Sequence, residues 1–251
     1  MSGDAPIIDV SALTKRYGVT LAVDALSFRV AAGEVLGLVG PNGAGKTTTL
    51  RSLCGIINPT QGAIRICGHD LATDAARAKQ QLAFIPDEPL LFDYLTVEEH
   101  LRFVGRLYGV ADTDARIPSL LEELELTDKR RSLPAELSRG MRQKLAIACG
   151  LLHNPAALIL DEPLTGLDPG GMKRMRATIA ARARDGAAVI LSSHLLHLVE
   201  ELCTRILIIR KGRCVVVGTL GEIVAGRADL QGMSLEDVFL TLTGDGDPRA
   251  Q

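Results

Sequence analysis

The sequence predicts an α/β fold: a largely parallel sheet with helices between its strands, interrupted by one all-helical region. Three observations carry this expectation. The short continuous apolar runs Ala157–Leu160, Ala188–Leu191 and Arg205–Ile209 are bounded by polar or turn residues, which suits strands buried on both faces. Helical patterns lie between such runs, giving a β–α alternation. From about Thr96 to Asn154, by contrast, three helical patterns follow one another with no convincing strand.

Taken in order, strand-like segments are expected at Ile7–Leu13, at Leu26–Val30 with its alternating Leu, Phe and Val, at Val35–Val39 and around Ile64–Ile66. Thr96 and Glu99 have the spacing of a capping box, and Val97, Leu101, Val104 and Tyr108 then share one helical face. Asp87 to about Arg131 reads as a helical insert on the α/β core. In "LSRGMRQKL", Leu137 to Leu145, Ser138 is placed to be an N-cap, with Met141, Leu145, Ala148 and Leu152 at helical spacing behind it. Asp168 is a second N-cap, with Pro169 at the favoured first helical position. The stretch "RILIIRKGRCVVVG" is a hairpin turning at Lys211–Gly212, and two further helices follow, capped by Thr219 and Ser234.

The 251 residues carry 47% hydrophobic and 23% charged side chains, a globular composition. A formal net charge of −2 argues against nucleic-acid binding driven by counterion release, so no nucleic-acid partner is expected. The five cysteines contain no C-x-x-C pair and are expected to be buried, reduced thiols. No apolar run reaches the ~18 residues of a membrane span. No basic segment followed by an apolar one marks a signal peptide at the start, and the expectation is a chain inside the cell that can still dock on a membrane protein.

The strongest chemical signal is "LGLVGPNGAGKTTTL", which places Gly40-x-x-x-x-Gly45-Lys46-Thr47 between an apolar strand and a helix. Glycines let consecutive N–H groups converge on phosphate oxygens, Lys46 can reach the β- and γ-phosphates, and the Thr47 hydroxyl can ligate Mg²⁺. A second cluster supports a nucleoside triphosphate. "AALILDEP" ends a buried strand in Asp161, placed to bind Mg²⁺, and in Glu162, which strand alternation points to the opposite side, where it can polarise an attacking water. No N-K-x-D guanine reader is present, which favours adenine and hence ATP. The start of the Ser138 helix, with a hydroxyl, a bare Gly140 backbone and two arginines, is a further anion site.

These motifs together resemble the ATP-binding subunit of an ABC (ATP-binding cassette) transporter, over nearly the whole chain. Tyr17 in "KRYG", the phosphate loop Gly40 to Thr48, "LSRGM", "LILDEP", "GLD" at Gly166–Asp168 and "SSH" ending at His194 occur in that family's order. The resemblance implies a P-loop NTPase (RecA-like) core with a parallel sheet, an antiparallel β lobe and a helical insert subdomain. Its boundaries would be 1–86 with 155–225 for the nucleotide-binding core, 87–154 for the insert with the signature motif, and 226–251 for a helical tail. It implies that Pro41, Asn42, Gly43, Ala44 and Thr48 complete the phosphate loop, that Tyr17 stacks on adenine, and that His194 contacts the γ-phosphate and positions water with Glu162. It also implies that two cassettes pack head to tail, so that Ser138, Gly140 and Met141 of one grip the ATP held by Gly43, Lys46 and Thr47 of the other, with Asp168 meeting the partner too.

Two departures from the common family pattern stand out. Asp87 in "LAFIPDEP" occupies the place of a glutamine that contacts Mg²⁺ and water, and direct or water-mediated metal contact are both open to it. Met141 stands where glutamine is commonest. With the ending "MSLEDVFLTLTG", these features resemble the subgroup paired with ABC-2 type membrane subunits, mainly exporters, which implies a separate permease partner, a second ATP-binding subunit (identical or a paralogue) and a peripheral place on the cytoplasmic face of the membrane. The alternatives are a soluble ABC-type ATPase acting on nucleic acid or ribosomes, and a non-hydrolysing regulatory cassette. The single cassette without a heptad run argues against the first; Glu162 and His194 argue against the second.

Overall fold

The computed structural model describes residues 5–244; residues 1–4 and 245–251, at the ends of the expected core and tail, lie outside the described residues. A six-stranded sheet has the order β10-β9-β3-β8-β7-β6, where β3 is Val35–Val39, β6 Leu82–Ile85, β7 Ala157–Asp161, β8 Ala188–Ser192, β9 Arg205–Arg210 and β10 Arg213–Gly218. Every neighbouring pair is parallel except β9–β10, the expected hairpin. Its turn residues Lys211 and Gly212 both take positive φ, 49° and 79°, as a two-residue turn matched to the strand twist requires.

The central strands are buried on both faces, so each side chain alternates between two cores. Along β7, Leu158 and Leu160 join the core shared with the helices, while Ala157 and Ile159 join the core under the second sheet. That second sheet is four-stranded and antiparallel, in the order β2-β1-β4-β5, from β1 (Ile8–Tyr17), β2 (Thr20–Val30), β4 (Gln61–Ile66) and β5 (His69–Asp70). β1 and β2 run well beyond the apolar segments legible in the sequence. They stay paired through left-handed residues at Ala12 and Ala25, whose N–H groups donate to Ser27 Oγ (2.8 Å) and Thr14 Oγ1 (3.0 Å). Side chains thus satisfy backbone groups that the bulges remove from the ladder.

Helices α1 (Lys46–Leu53) and α2 (Ala75–Gln80) precede β6. The all-helical region contains α3 (Val97–Leu107), α4 (Thr113–Glu123) and α5 (Arg139–Leu151). The Thr96–Glu99 capping box forms as expected, and Val97 and Leu101 are fully buried. His100 is buried too, its Nδ1–H donating to the Thr96 carbonyl (2.8 Å) while Nε2 accepts from Phe92 N–H (2.9 Å), which fixes its tautomer and ties the preceding loop to α3. Helices α6 (Pro169–Arg184), α7 (Leu196–Leu202), α8 (Leu220–Ala225) and α9 (Leu235–Thr243) complete the helical side, with Thr219 and Ser234 as caps. The cysteine expectation needs correction. All five are free, yet Cys54 alone is buried, Cys67, Cys149 and Cys203 are partly buried, and Cys214, on the last strand of the hairpin, is exposed. An outer strand leaves one face of each side chain without cover.

Candidate functional site

The phosphate loop links the carboxyl end of β3 to the N-terminus of α1. Gly45 takes φ 104°, and a Cβ there would lie 2.5 Å from the Ala22 carbonyl of β2, so only glycine fits between the loop and that strand. Lys46 Nζ folds back to donate to the carbonyls of Gly40 (2.6 Å) and Pro41 (3.3 Å). Burial pushes its pKa down, and the neighbouring carboxylates of Glu162 and Asp161 oppose that shift. A cavity of about 310 Å³ opens over the loop, lined by Asn42 to Thr48, Ala22, Asp87, Asp161 and Glu162. Seven consecutive residues of the loop and the first turn of α1 therefore meet all three predicted carboxylates at one place.

The carboxylates are held differently. Asp161 ends β7 and is buried, its Oδ1 accepting a 2.6 Å hydrogen bond from Ser192 Oγ at the end of β8. Glu162 does not reach its place by strand alternation, as the sequence suggested. It lies one residue past β7 with φ 51°, a left-handed turn that redirects its side chain. Its N–H donates to the Ser192 carbonyl (3.2 Å) and to Ser192 Oγ (3.2 Å), which hold that turn. Ser192 is thus a residue that sequence reasoning passed over as part of "SSH". One buried hydroxyl organises both acids, and only strand pairing between β7 and β8 could reveal it.

His194 lies two residues beyond the end of β8 rather than on it. Its Nδ1 sits 2.9 Å from Glu162 Oε2, and its backbone N–H donates to the same oxygen at 3.4 Å. The imidazole is 63% exposed and the Glu162 side chain 17%, so the pair presents the histidine outward. A carboxylate that binds one face of a histidine while facing the phosphate loop can take a proton from a water held beside it.

The remaining predicted residues are not in this cavity's lining. Tyr17 ends β1, is 46% exposed, and carries the Lys15 ammonium 5.0 Å from its ring centroid. Ser138 caps α5, accepting from Met141 N–H at 3.2 Å, and is exposed, as the N-terminus of a would-be anion site must be. Gly140 packs against the loop after Glu162, where a Cβ would lie 3.1 Å from the Gly166 carbonyl. Asp168 caps α6 through Gly171 N–H (3.3 Å), with Pro169 at the first position. Two contacts tie α5 to the segment after β6: Gln143 Nε2 donates to the Pro86 carbonyl (3.4 Å), and Arg139 pairs with Asp87 (3.3 Å).

Comparison with known proteins identifies the family. The family described as "ABC transporter" matches residues 23–165. The chain is 34% identical to the ABC-type transporter ATP-binding protein EcsA of Bacillus subtilis (strain 168), over 94% of this chain and 96% of that one. It is 38% identical to the Nod factor export ATP-binding protein I of Ralstonia nicotianae (strain ATCC BAA-1114 / GMI1000), over 88% of this chain and 70% of the other. A solved structure of the ATP binding subunit of an ABC transporter superposes with a TM-score of 0.90 at 36% identity, covering 94% of this chain and 99% of its own. A family match over more than half of the chain, and likeness to EcsA and to the solved ATP-binding subunit over nearly all of it, mean that it belongs to the ABC transporter family as an ATP-binding, ATP-hydrolysing subunit.

Proposed function

We propose that this chain drives export through a separate ABC-2 type permease, working at the cytoplasmic face of the membrane as one of two cassettes that close head to tail around two Mg²⁺-ATP. The observation that carries the two-cassette reading is a separation. The phosphate cavity is lined from β2, the loop after β3, α1, the end of β7 and the segment after β6, whereas the capped N-terminus of α5, with exposed Ser138, is absent from that lining. A helix N-terminus that favours anions, left facing outward, is suited to the phosphate of another copy. Ser138, Gly140 and the Met141 backbone would hold that phosphate, Asp168 would meet the partner, and Tyr17 would stack on adenine.

Within the cavity, the residues fit a shared metal ion. Among the described residues no cluster of His, Cys, Asp and Glu is arranged to hold a metal by itself. The Thr47 hydroxyl and the second oxygen of Asp161 are hard donors of the kind Mg²⁺ uses when phosphate oxygens and water complete its shell. Thr47 and Asp161 would bind the ion and Asp87 would reach it through a water; the ion would neutralise charge on the phosphates. Lys46 leaves the Gly40 and Pro41 carbonyls for phosphate oxygens. Glu162 accepts a proton from water as that oxygen bonds to the γ-phosphorus, and the bond to the bridging oxygen breaks to release ADP. His194 orients Glu162 and reports the γ-phosphate.

The permease reading rests on a second surface. No helix among the described residues is long and apolar enough to cross a membrane. Beside the insert lies an apolar groove of about 230 Å³ lined by Pro89, Leu90, Phe92, Val104, Tyr108 and His153, among others. Leu90 is 95% and Tyr94 92% exposed on the loop that leads into it. Such a patch suits a helix from a membrane subunit. Export is the direction named for the Ralstonia relative.

Size measurement tests the assembly. Glu162→Gln keeps ATP from being consumed, so with Mg²⁺-ATP it should shift from monomer to dimer, and adding Gly140→Asp should abolish the shift. A Glu162→Gln protein that stays monomeric at saturating ATP contradicts the reading.

A further inference from the structure

The phosphate cavity has an unbalanced lining. Asp87, Asp161 and Glu162 bring three carboxylates, and among the described residues Lys46 is the one cation that lines it with them. The ligand is itself a polyanion, so each uncompensated carboxylate opposes binding. Asp161 is engaged by a neutral hydroxyl and Glu162 by His194. Asp87 has a different partner, the Arg139 guanidinium at 3.3 Å, which comes from the first residue of α5, 52 positions away. On its other side Arg139 passes over Gly166, its Cδ and Nε lying 3.2 Å from where a Cβ there would stand. Gly166 has φ 78° and no side chain, which leaves room for the arginine. The buried Gln143 one turn along α5 bonds Pro86, so the helix and the Asp87 segment are registered at two points.

We propose that Arg139 is the charge-compensating partner of Asp87 in nucleotide binding, so that the arginine in the signature and the aspartate after β6 function as a unit. The pair is half exposed on both sides, 55% and 43%, and as a contribution to folding it is worth little. Its effect falls on the phosphates. With Arg139 in place, Asp87 presents a nearly neutral pair to the nucleotide; without it, a full negative charge faces the cavity. The inference rests on ATP binding at the phosphate loop and not on the exporter reading or the two-cassette assembly.

A charge cycle on the isolated full-length chain tests it, with ATP affinity measured by titration calorimetry in EDTA, so that no divalent cation masks the field. Arg139→Gln should weaken ATP binding at least fivefold, and Asp87→Gln alone should tighten it. Asp87→Gln/Arg139→Gln together should return to within about twofold of the natural protein, because the net charge of the pair is again zero. The Arg139→Gln loss should shrink as salt rises. Two results overturn the proposal: an Arg139→Gln affinity unchanged within twofold, or a double variant as weak as Arg139→Gln alone, which would mean that the arginine touches phosphate directly.

Discussion

The phosphate loop and the N-terminus of α5 both offer backbone N–H groups to an anion, yet they are built in opposite ways. The loop is enclosed: it leaves a strand buried on both faces, Gly45 is pressed on the Ala22 carbonyl, and Lys46 is bonded to two carbonyls of its own loop. The α5 start lies on the surface, held by one side-chain cap and by contacts to Pro86, Asp87 and Gly166. The first can bind a phosphate unaided. The second offers a dipole and a few donors at an exposed surface, where such attraction is weak in water, and gains strength only when another surface excludes solvent. In the proposed assembly, division of one site into a self-sufficient half and a dependent half would make nucleotide the joint between two molecules.

Substitutions on each side sharpen that contrast. The largest effect is expected in the enclosed half: Glu162→Gln should lower turnover by about a hundredfold or more while leaving ATP binding intact, measured as steady-state hydrolysis beside equilibrium binding. Ser192→Ala comes next. It removes the hydroxyl shared by Asp161 and the Glu162 turn, and should cost on the order of tenfold in turnover, with a raised Mg²⁺ requirement. In the dependent half, Ser138→Ala should cost about 1 kcal/mol of stability as a lost cap, the same as Thr96→Ala. Only Ser138→Ala should also slow hydrolysis, because Thr96 caps a helix away from the phosphates; equal activities in the two variants would erase the distinction.

The smallest effect concerns the seam between insert and core. His153 stacks on Tyr108 with ring centroids 3.8 Å apart and bonds the Leu82 carbonyl, and burial pushes its pKa down from the usual 6.5. A histidine that charges more readily unfolded than folded stabilises least in acid. Its contribution is complete above about pH 6.5 and is lost as pH falls from there toward the lower folded value. Melting temperatures of His153→Phe should therefore depend less on pH between 7 and 5 than those of the natural protein.

Much of this was legible in the sequence because it is local. Val35–Val39 coincides with β3, the caps at Thr96, Ser138, Asp168, Thr219 and Ser234 all form, and the Lys211–Gly212 turn joins β9 to β10. What escaped depends on partners distant in the chain. The polar half of β2 is a strand because β1 pairs with it, and β5 has two residues that acquire their state from β4. Ser192 gains its importance from a carboxylate 31 positions away, and Asp87 from an arginine 52 positions away. Periodicity cannot report such meetings, since it records which face a residue takes and not what waits there.

One mixing experiment bears most directly on the divided site. A copy with Lys46→Ala loses its own phosphate loop but keeps its α5 start; a copy with Gly140→Asp keeps the loop and loses the other half. Each alone should hydrolyse almost no ATP, since every pocket in either pure dimer is broken. Mixed in equal amounts, they should recover turnover on the order of a quarter of the natural level, because half the dimers are then hybrid and hold one whole pocket each. A mixture no more active than its two components would contradict the account, as would full activity in the Gly140→Asp protein alone.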